Sequence, residues 1–151
     1  MFSQTAEYAL RAMVQLAFAG QAGCSTDELA RKTQVPRAYL SKVLQGLRAA
    51  GLLDSKRGAG GGVRLVKPPE EISILDVVNA VDPIRRINSC PLNLQSHELR
   101  LCPLHSRIDS AMALIEHSLG STTLDQIILG DPQRPVPLCD MPAAISSMNT
   151  H

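Results

Sequence analysis

Apolar and polar positions along the first 130 residues follow a mostly helical rhythm. Over residues 3–19, Ala6, Leu10, Met13 and Ala17 recur at helical spacing and define one face, with Arg11 and Gln15 on the other, which predicts a first helix. Ser25-Thr26-Asp27-Glu28 reads as a capping box, with Ser25 as N-cap and Glu28 reaching back, and opens a short second helix to about Lys32. After the turn Thr33-Gln34-Val35, Pro36 suits the first position of a third helix, because its missing N–H would have no partner there. Leu40, Val43, Leu44 and Leu47 give that helix a buried face, and Gly51 ends it as a left-handed cap. The pattern then changes. Residues 52–56 and 63–67 read as two short strands joined by the loop Arg57-Gly58-Ala59-Gly60-Gly61-Gly62. Ser73 and Asp76 open a short helix over 74–81, and an irregular polar stretch that holds cysteines runs over about 82–102. Pro103 begins a long amphipathic helix whose apolar stripe is Leu104, Ile108, Ala111, Met112, Ile115 and Leu119, with Gly120 as its stop. Thr122 or Thr123 caps a last short helix through Leu129. The tail from Gly130 carries four prolines and few bulky residues and is expected to be mobile.

This order gives a fold class that is mainly α with a small β-wing: a winged helix-turn-helix domain followed by a long dimerisation helix. The expected organisation is a DNA-binding domain at 1–82, a sensor loop at 83–102, a dimerisation helix and short C-terminal helix at 103–130, and a tail at 131–151. The apolar stripe over 104–119 is long for a small domain with few aromatic partners. A second copy of the chain is its expected cover, the alternative being that it packs only on the first helix.

Composition changes the picture in two respects. Aromatics are only 3% of the chain and tryptophan is absent, so the core must be aliphatic. Net charge is only +1, but the charge is uneven: residues 1–72 hold ten Lys/Arg against six Asp/Glu, and residues 73–151 hold five against eight. A basic front half suits a phosphate-facing surface. No apolar run approaches the roughly 20 residues that span a bilayer, and no signal peptide is visible, so a cytoplasmic protein without membrane contact is expected. In that compartment cysteines stay reduced, so four of them suggest metal binding, redox sensing or simple burial. No acid–base pair or nucleophile constellation marks an enzyme.

The front half has the grammar of a DNA reader. The first turns of a recognition helix enter the major groove, and here those positions hold Arg37, Ala38, Tyr39, Ser41 and Lys42. Arg37 can donate to guanine or phosphate, while Tyr39, Ser41 and Lys42 can donate to phosphate oxygens and fix register. The wing places Lys56, Arg57 and Arg64 around a loop almost without side chains, narrow enough for a minor groove about 6 Å wide. No Gly-Lys-Ser/Thr follows that loop, which argues against a nucleotide-binding loop.

The run Tyr39-Leu40-Ser41-Lys42-Val43-Leu44, then Leu47-Arg48-Ala49-Ala50-Gly51-Leu52-Leu53, Ser55-Lys56-Arg57-Gly58, Gly61-Gly62-Val63-Arg64-Leu65, Pro68 and the helix beyond it resembles the Rrf2 family of bacterial winged-helix repressors, the IscR- and NsrR-like regulators. The match covers roughly residues 1–130. It implies a homodimer that binds double-stranded DNA at a palindromic operator, a long helix from Pro103 at the dimer interface, and an iron–sulfur loop before it.

Cluster-bearing members of the family usually carry three cysteines in that loop. This chain has Cys90 and Cys102; between them His97 is the only soft ligand, and Cys102-Pro103-Leu104-His105 resembles the end of the family arrangement. In some relatives a carboxylate on the first helix of the partner subunit completes the site, and Glu7 matches that position. The resemblance therefore implies a 2Fe–2S cluster held by Cys90, Cys102, His105 and Glu7, with His97 as the rival ligand. Zinc on Cys90, Cys102, His97 and His105, a reversible disulfide, a cluster-free regulator sensing through a partner protein, and a ligand-free loop are the alternatives. Cys24, beside an N-cap, reads as a small buried residue; Cys139 reads as exposed in the tail and His117 as solvated.

Overall fold

A computed structural model of the protein describes residues 2–58, 60–90 and 100–130. The described chain runs α1 (Gln4–Ala19), α2 (Thr26–Thr33), α3 (Arg37–Ala49), β1 (Leu53–Lys56), β2 (Gly62–Leu65), α4 (Ile74–Val81), α5 (Pro103–Gly120) and α6 (Leu124–Leu129), with single 3₁₀ turns at Gly20–Ala22 and Pro69–Glu71. The two strands form one antiparallel hairpin, registered Leu53 to Leu65 and Lys56 to Gly62.

The core forms around α1. Ala6, Ala9, Ala12, Met13, Val14 and Leu16 are all buried, and α2, α3, α4, α6 and β2 pack on this one helix. The burial is broader than the single face read from its periodicity. Leu10 and Ala17, expected inside, are only partly covered, while Ala9, Ala12 and Leu16 are sealed. Five elements pack on α1, so its apolar face is wide, while Gln4, Thr5, Glu7 and Arg11 stay exposed on a narrower polar side. Into the same core project Leu29, Leu40, Leu44, Leu47, Ile72, Val77 and Leu124. Its filling is aliphatic, as the scarcity of aromatics requires.

Local chemistry sets the element ends. Ser3 caps α1 by accepting from Ala6 N–H at 3.2 Å. Ser25 caps α2 by accepting from Glu28 N–H at 3.2 Å, but the reciprocal arm expected of a capping box is absent: Glu28 instead holds Lys32 at 2.6 Å. A reciprocal box opens α4, where Ser73 accepts from Asp76 N–H and Asp76 Oδ2 accepts from Ser73 N–H. Pro36 lies one residue outside the position expected for it. Its ψ of 133° is extended, its carbonyl accepts from Leu40 N–H, and Arg37 is the first helical residue. Gly51 takes the left-handed conformation after α3, at φ 74°. α5 ends at Gly120, as expected. A Cβ there would stand 3.3 Å from Leu75, so this glycine allows α5 to approach α4 closely.

The hairpin is sewn to the head. Cys24 and Val63 exchange backbone hydrogen bonds at 2.9 and 2.8 Å, making a bridge between the turn before α2 and β2. That bridge demands glycine at Gly62, where a Cβ would fall 2.5 Å from the Cys24 carbonyl oxygen. α6 is attached similarly: Ile74 N–H donates to Thr122 O, and Leu124 N–H donates to Ile72 O, each at 2.9 Å.

Leu16→Ala should lower unfolding free energy by about 2–5 kcal/mol, the range for truncating a sealed leucine, read from urea denaturation followed by circular dichroism. Gly62→Ala should also destabilise, whereas Gln45→Ala, exposed on α3, should leave the midpoint within experimental scatter.

Candidate nucleic-acid interface and sensor segment

The turn between α2 and α3 starts from two residues. Thr33 Oγ1 donates back to the Leu29 carbonyl at 2.7 Å in a buried position, and Gln34 adopts φ 56°, unusual for a non-glycine residue. Val35 then plugs the core, and α3 leaves at a fixed angle with Leu40, Val43, Leu44 and Leu47 inward. The opposite face must therefore carry Arg37, Ala38, Tyr39, Ser41, Lys42, Gln45 and Arg48, all exposed.

The expected donors on that face stand together, with internal partners. Arg37 Nε meets Asp27 Oδ1 of α2 at 2.9 Å, with both side chains about 70% exposed. Ser41 Oγ donates to the Arg37 carbonyl at 3.0 Å. Tyr39 is 59% exposed, and the edge of its ring meets Tyr8 with centroids 6.2 Å apart. The Tyr8 hydroxyl in turn accepts from Gln4 at 2.8 Å. On the wing, Asp54 and Arg64 are cross-strand partners and form an ion pair at 3.3 Å. Lys56 and Arg57 are exposed at the tip. Gly61 N–H closes the tip by donating to Gly58 O at 2.8 Å, and a Cβ on Gly61 would stand 2.4 Å from Lys56 O, so the tight tip excludes side chains there. Exposed ion pairs of this kind are worth at most about 1 kcal/mol, so Arg37 and Arg64 are oriented by their carboxylates and remain able to exchange them for phosphate. Sequence reading missed Tyr8, Gln4 and Asp27, because only the packing of α1 and α2 beside α3 brings them to this face.

Cys102 is the N-cap of α5, with Pro103 at the first helical position, and its Sγ lies 3.3 Å from His105 Nδ1. Cys90 is buried. Cys24, Cys90 and Cys102 are not disulfide-bonded. His97, the rival ligand, and Cys139 lie outside the described residues. Among the described residues no three His, Cys, Asp or Glu side chains form a group that could hold a metal ion. Glu7 is exposed on α1, where its Oε1 accepts from Arg11 Nη2 at 2.6 Å and from Nε at 3.1 Å. Cys24 is buried as expected, and burial followed by the nearby Glu28 charge pushes its thiol up to about 11.

The strongest polar feature here was not read from the sequence. Arg86, in the segment after α4, places Nε 2.7 Å from Asp109 Oδ1 and Nη2 2.6 Å from Asp109 Oδ2. Its third arm reaches Glu116 at 3.2 Å, and Ile87 N–H donates to Asp109 Oδ1 at 2.9 Å. The Arg86 fork, then the Ile87 N–H, hold the Asp109 carboxyl down to about 2.

On α5 no side chain is buried. Leu104 is 65% and Leu114 71% exposed, with Ile108 and Ile115 also open. The alternative in which this stripe packs on the first helix is overturned, because those residues are uncovered. Only the C-terminal end of α5 nears α1, where Leu119 joins Leu10, Val14, Ile74 and Ile127 around a cavity of about 430 Å³ with Glu7 and Arg11 also on its wall. No helix among the described residues is long and apolar enough to cross a membrane.

Residues 2–129 match the Rrf2 family model, described as an iron-dependent transcriptional regulator. Protein aau3 of Rhizobium meliloti is 30% identical over 131 residues, which covers 83% of each chain. Among solved structures, IscR of T. potens superposes with a TM-score of 0.73 at 25% identity, over 91% of this chain and 92% of that one. CymR, the global cysteine regulator of B. subtilis, superposes at 0.71 and 25%, over 85% and 96%. Both neighbours fit the mainly helical winged architecture expected from the sequence.

Asp109 carries a pH signature. Its folded value lies below the ordinary 3.8, so its contribution is complete above that value and disappears as pH falls toward about 2. Asp109→Asn should be less stable than wild type at neutral pH and should lose less stability on acidification across that window, as measured by chemical denaturation at each pH.

Proposed function

This chain belongs to the Rrf2 family of transcriptional regulators, and from that premise we propose that it acts as a homodimeric repressor whose two winged-helix heads read a palindromic operator and whose 83–102 segment senses redox state, iron–sulfur status or nitric oxide. The observation that supports this reading is the pairing, on one chain, of an exposed donor-rich face on α3 and the wing with an exposed apolar stripe on α5.

Each head has two docking elements. The first turns of α3 enter the major groove with Arg37, Ser41 and Lys42 toward base edges and phosphates, and Tyr39 toward the backbone. The wing tip carries Lys56 and Arg57 to the adjacent minor groove, with Arg64 behind them. Asp27 and Asp54 preset the two arginines until phosphate replaces them. Leu104, Ile108 and Ile115 of α5 meet the same stripe of a second copy. That two-fold arrangement repeats the heads at about 34 Å, one turn of the duplex.

Four ligands hold a 2Fe–2S cluster, and histidine in place of cysteine raises its potential. The donor types fit: Cys102 and His105 are already adjacent, and Cys90 together with Glu7 of the partner subunit would complete the set. When bound, the cluster supplies one-electron chemistry and susceptibility to oxidative loss. The chain's own contribution is placement. Cys102 is the N-cap of α5, so a change at its sulfur bears directly on the first turn of the dimer helix. A near-complete switch requires an affinity difference of about 10⁴-fold between the two states.

Three outcomes are expected. Ile108→Asp with Ile115→Asp should give a monomer in sedimentation and lose operator binding. Arg57→Ala should weaken binding to all duplexes and reduce the salt slope by about 1, whereas Arg37→Ala should also relax sequence preference. Protein purified without oxygen should be coloured and contain iron and sulfide, and Cys102→Ala and His105→Ala should each deplete them. An iron-free, colourless wild type would transfer sensing to thiols, zinc or a partner protein. Equal affinity for operator and random duplex would remove the regulator reading altogether.

A further inference from the structure

After α4 the chain is fastened twice before it reaches Cys90. Ile84 N–H donates to Asn79 Oδ1 of α4 at 3.1 Å. Arg86 and Ile87 then attach the segment to α5 through Asp109, with Glu116 two turns further along taking the third guanidinium arm. The attachment stands four residues before Cys90, and Asp109 stands four residues after His105. The candidate sensing groups and the fork therefore lie on the same two pieces of chain, about one helical turn apart along α5.

We infer that Arg86 is the positioning residue of the sensor segment: its fork on Asp109 and Glu116 fixes the segment that carries Cys90 against α5, so that a change in the spacing of Cys90 and Cys102 is transmitted to the dimer helix. The inference rests on the reading of 83–102 as the sensor. The physical reason is directional. A guanidinium that binds both oxygens of one carboxylate tolerates little sliding, and here the neighbouring backbone N–H shares one of those oxygens. Four residues span at most about 14 Å even when fully extended. Cys90 is therefore held within that reach of the fork, so a large displacement at the thiol either moves α5 through Asp109 or breaks the fork. Lysine cannot reproduce the geometry, because an ammonium is a point charge without the planar pair of donors.

The test uses full-length protein, first in the metal-free reduced form without DNA. Alkylation by N-ethylmaleimide is followed at each cysteine by peptide mass spectrometry. Arg86→Gln should speed modification of Cys90 at least tenfold while Cys24, sealed under the wing, stays slow and reports an intact head. Asp109→Asn, which keeps an oxygen for Ile87 N–H, should give the same acceleration and serves if Arg86→Gln exposes Cys24. Arg86→Lys should behave as Arg86→Gln. A second readout is the ratio of operator affinities between cluster-loaded and metal-free protein, which a static staple would not alter. Wild type should show at least a tenfold ratio, and Arg86→Gln should bring it within twofold of unity. Unchanged Cys90 reactivity in a folded variant, or an unchanged affinity ratio, overturns the inference. Failure of wild type to recognise an operator would remove the regulator reading instead, and the alkylation result, obtained without DNA, would still stand.

Discussion

The rest of this fold depends on how closely five elements can approach one helix. Ala6, Ala9 and Ala12 leave α1 almost without side-chain bulk along a ridge, and all three are fully sealed. Helix axes separate according to the side chains between them, so a slim central helix lets α3, α4 and α6 close in without large aromatics. The composition agrees, with two phenylalanines and no tryptophan in the chain. Because α3 and α4 both rest on this helix, the orientation of one is fixed relative to the other through a single rod.

Electrostatics on the reading face are restrained. Two arginines that face outward each have a carboxylate of the same head within reach, Arg37 with Asp27 and Arg64 with Asp54. The net charge of +1 likewise gives the chain no strong general attraction to polyanions. Non-specific affinity grows with every phosphate neutralised. Pairing two of the outward arginines with carboxylates lowers the unspecific part of that attraction and leaves Lys42, Lys56 and Arg57 as the exposed cations beside them.

How much of this was legible beforehand follows from the range of the interactions. The cap at Ser25, the box at Ser73 and Asp76, the left-handed Gly51 and the glycine tip are local, so their residue types announce them. The 74–81 helix was read without error. The second strand was displaced by one to two residues, because its register is set by the bridge to Cys24 rather than by its own alternation. The apolar face of α1 is wider than the expected stripe, because five elements pack on it, while Glu7 and Arg11 stay exposed. The Arg86 fork was invisible because its partners lie 23 and 30 residues away, and no composition or spacing rule connects arginine to carboxylate at such range. Adjacency of Cys102 and His105 follows from their spacing at the start of α5, whereas the placement of Cys90 depends on tertiary contacts that no local motif encodes.

The Cys24 bridge has a consequence for oxidative chemistry. Its sulfur is held beneath the wing and its ionisation is suppressed at physiological pH, and it is the thiolate that attacks oxidants. Peroxide or nitrosating agents therefore meet a buried, weakly ionised sulfur beneath the hairpin, while Cys102 is partly open at the head of α5. The two thiols therefore differ in their openness to electrophiles: the one beneath the hairpin is shielded, and the one heading α5 is within solvent reach.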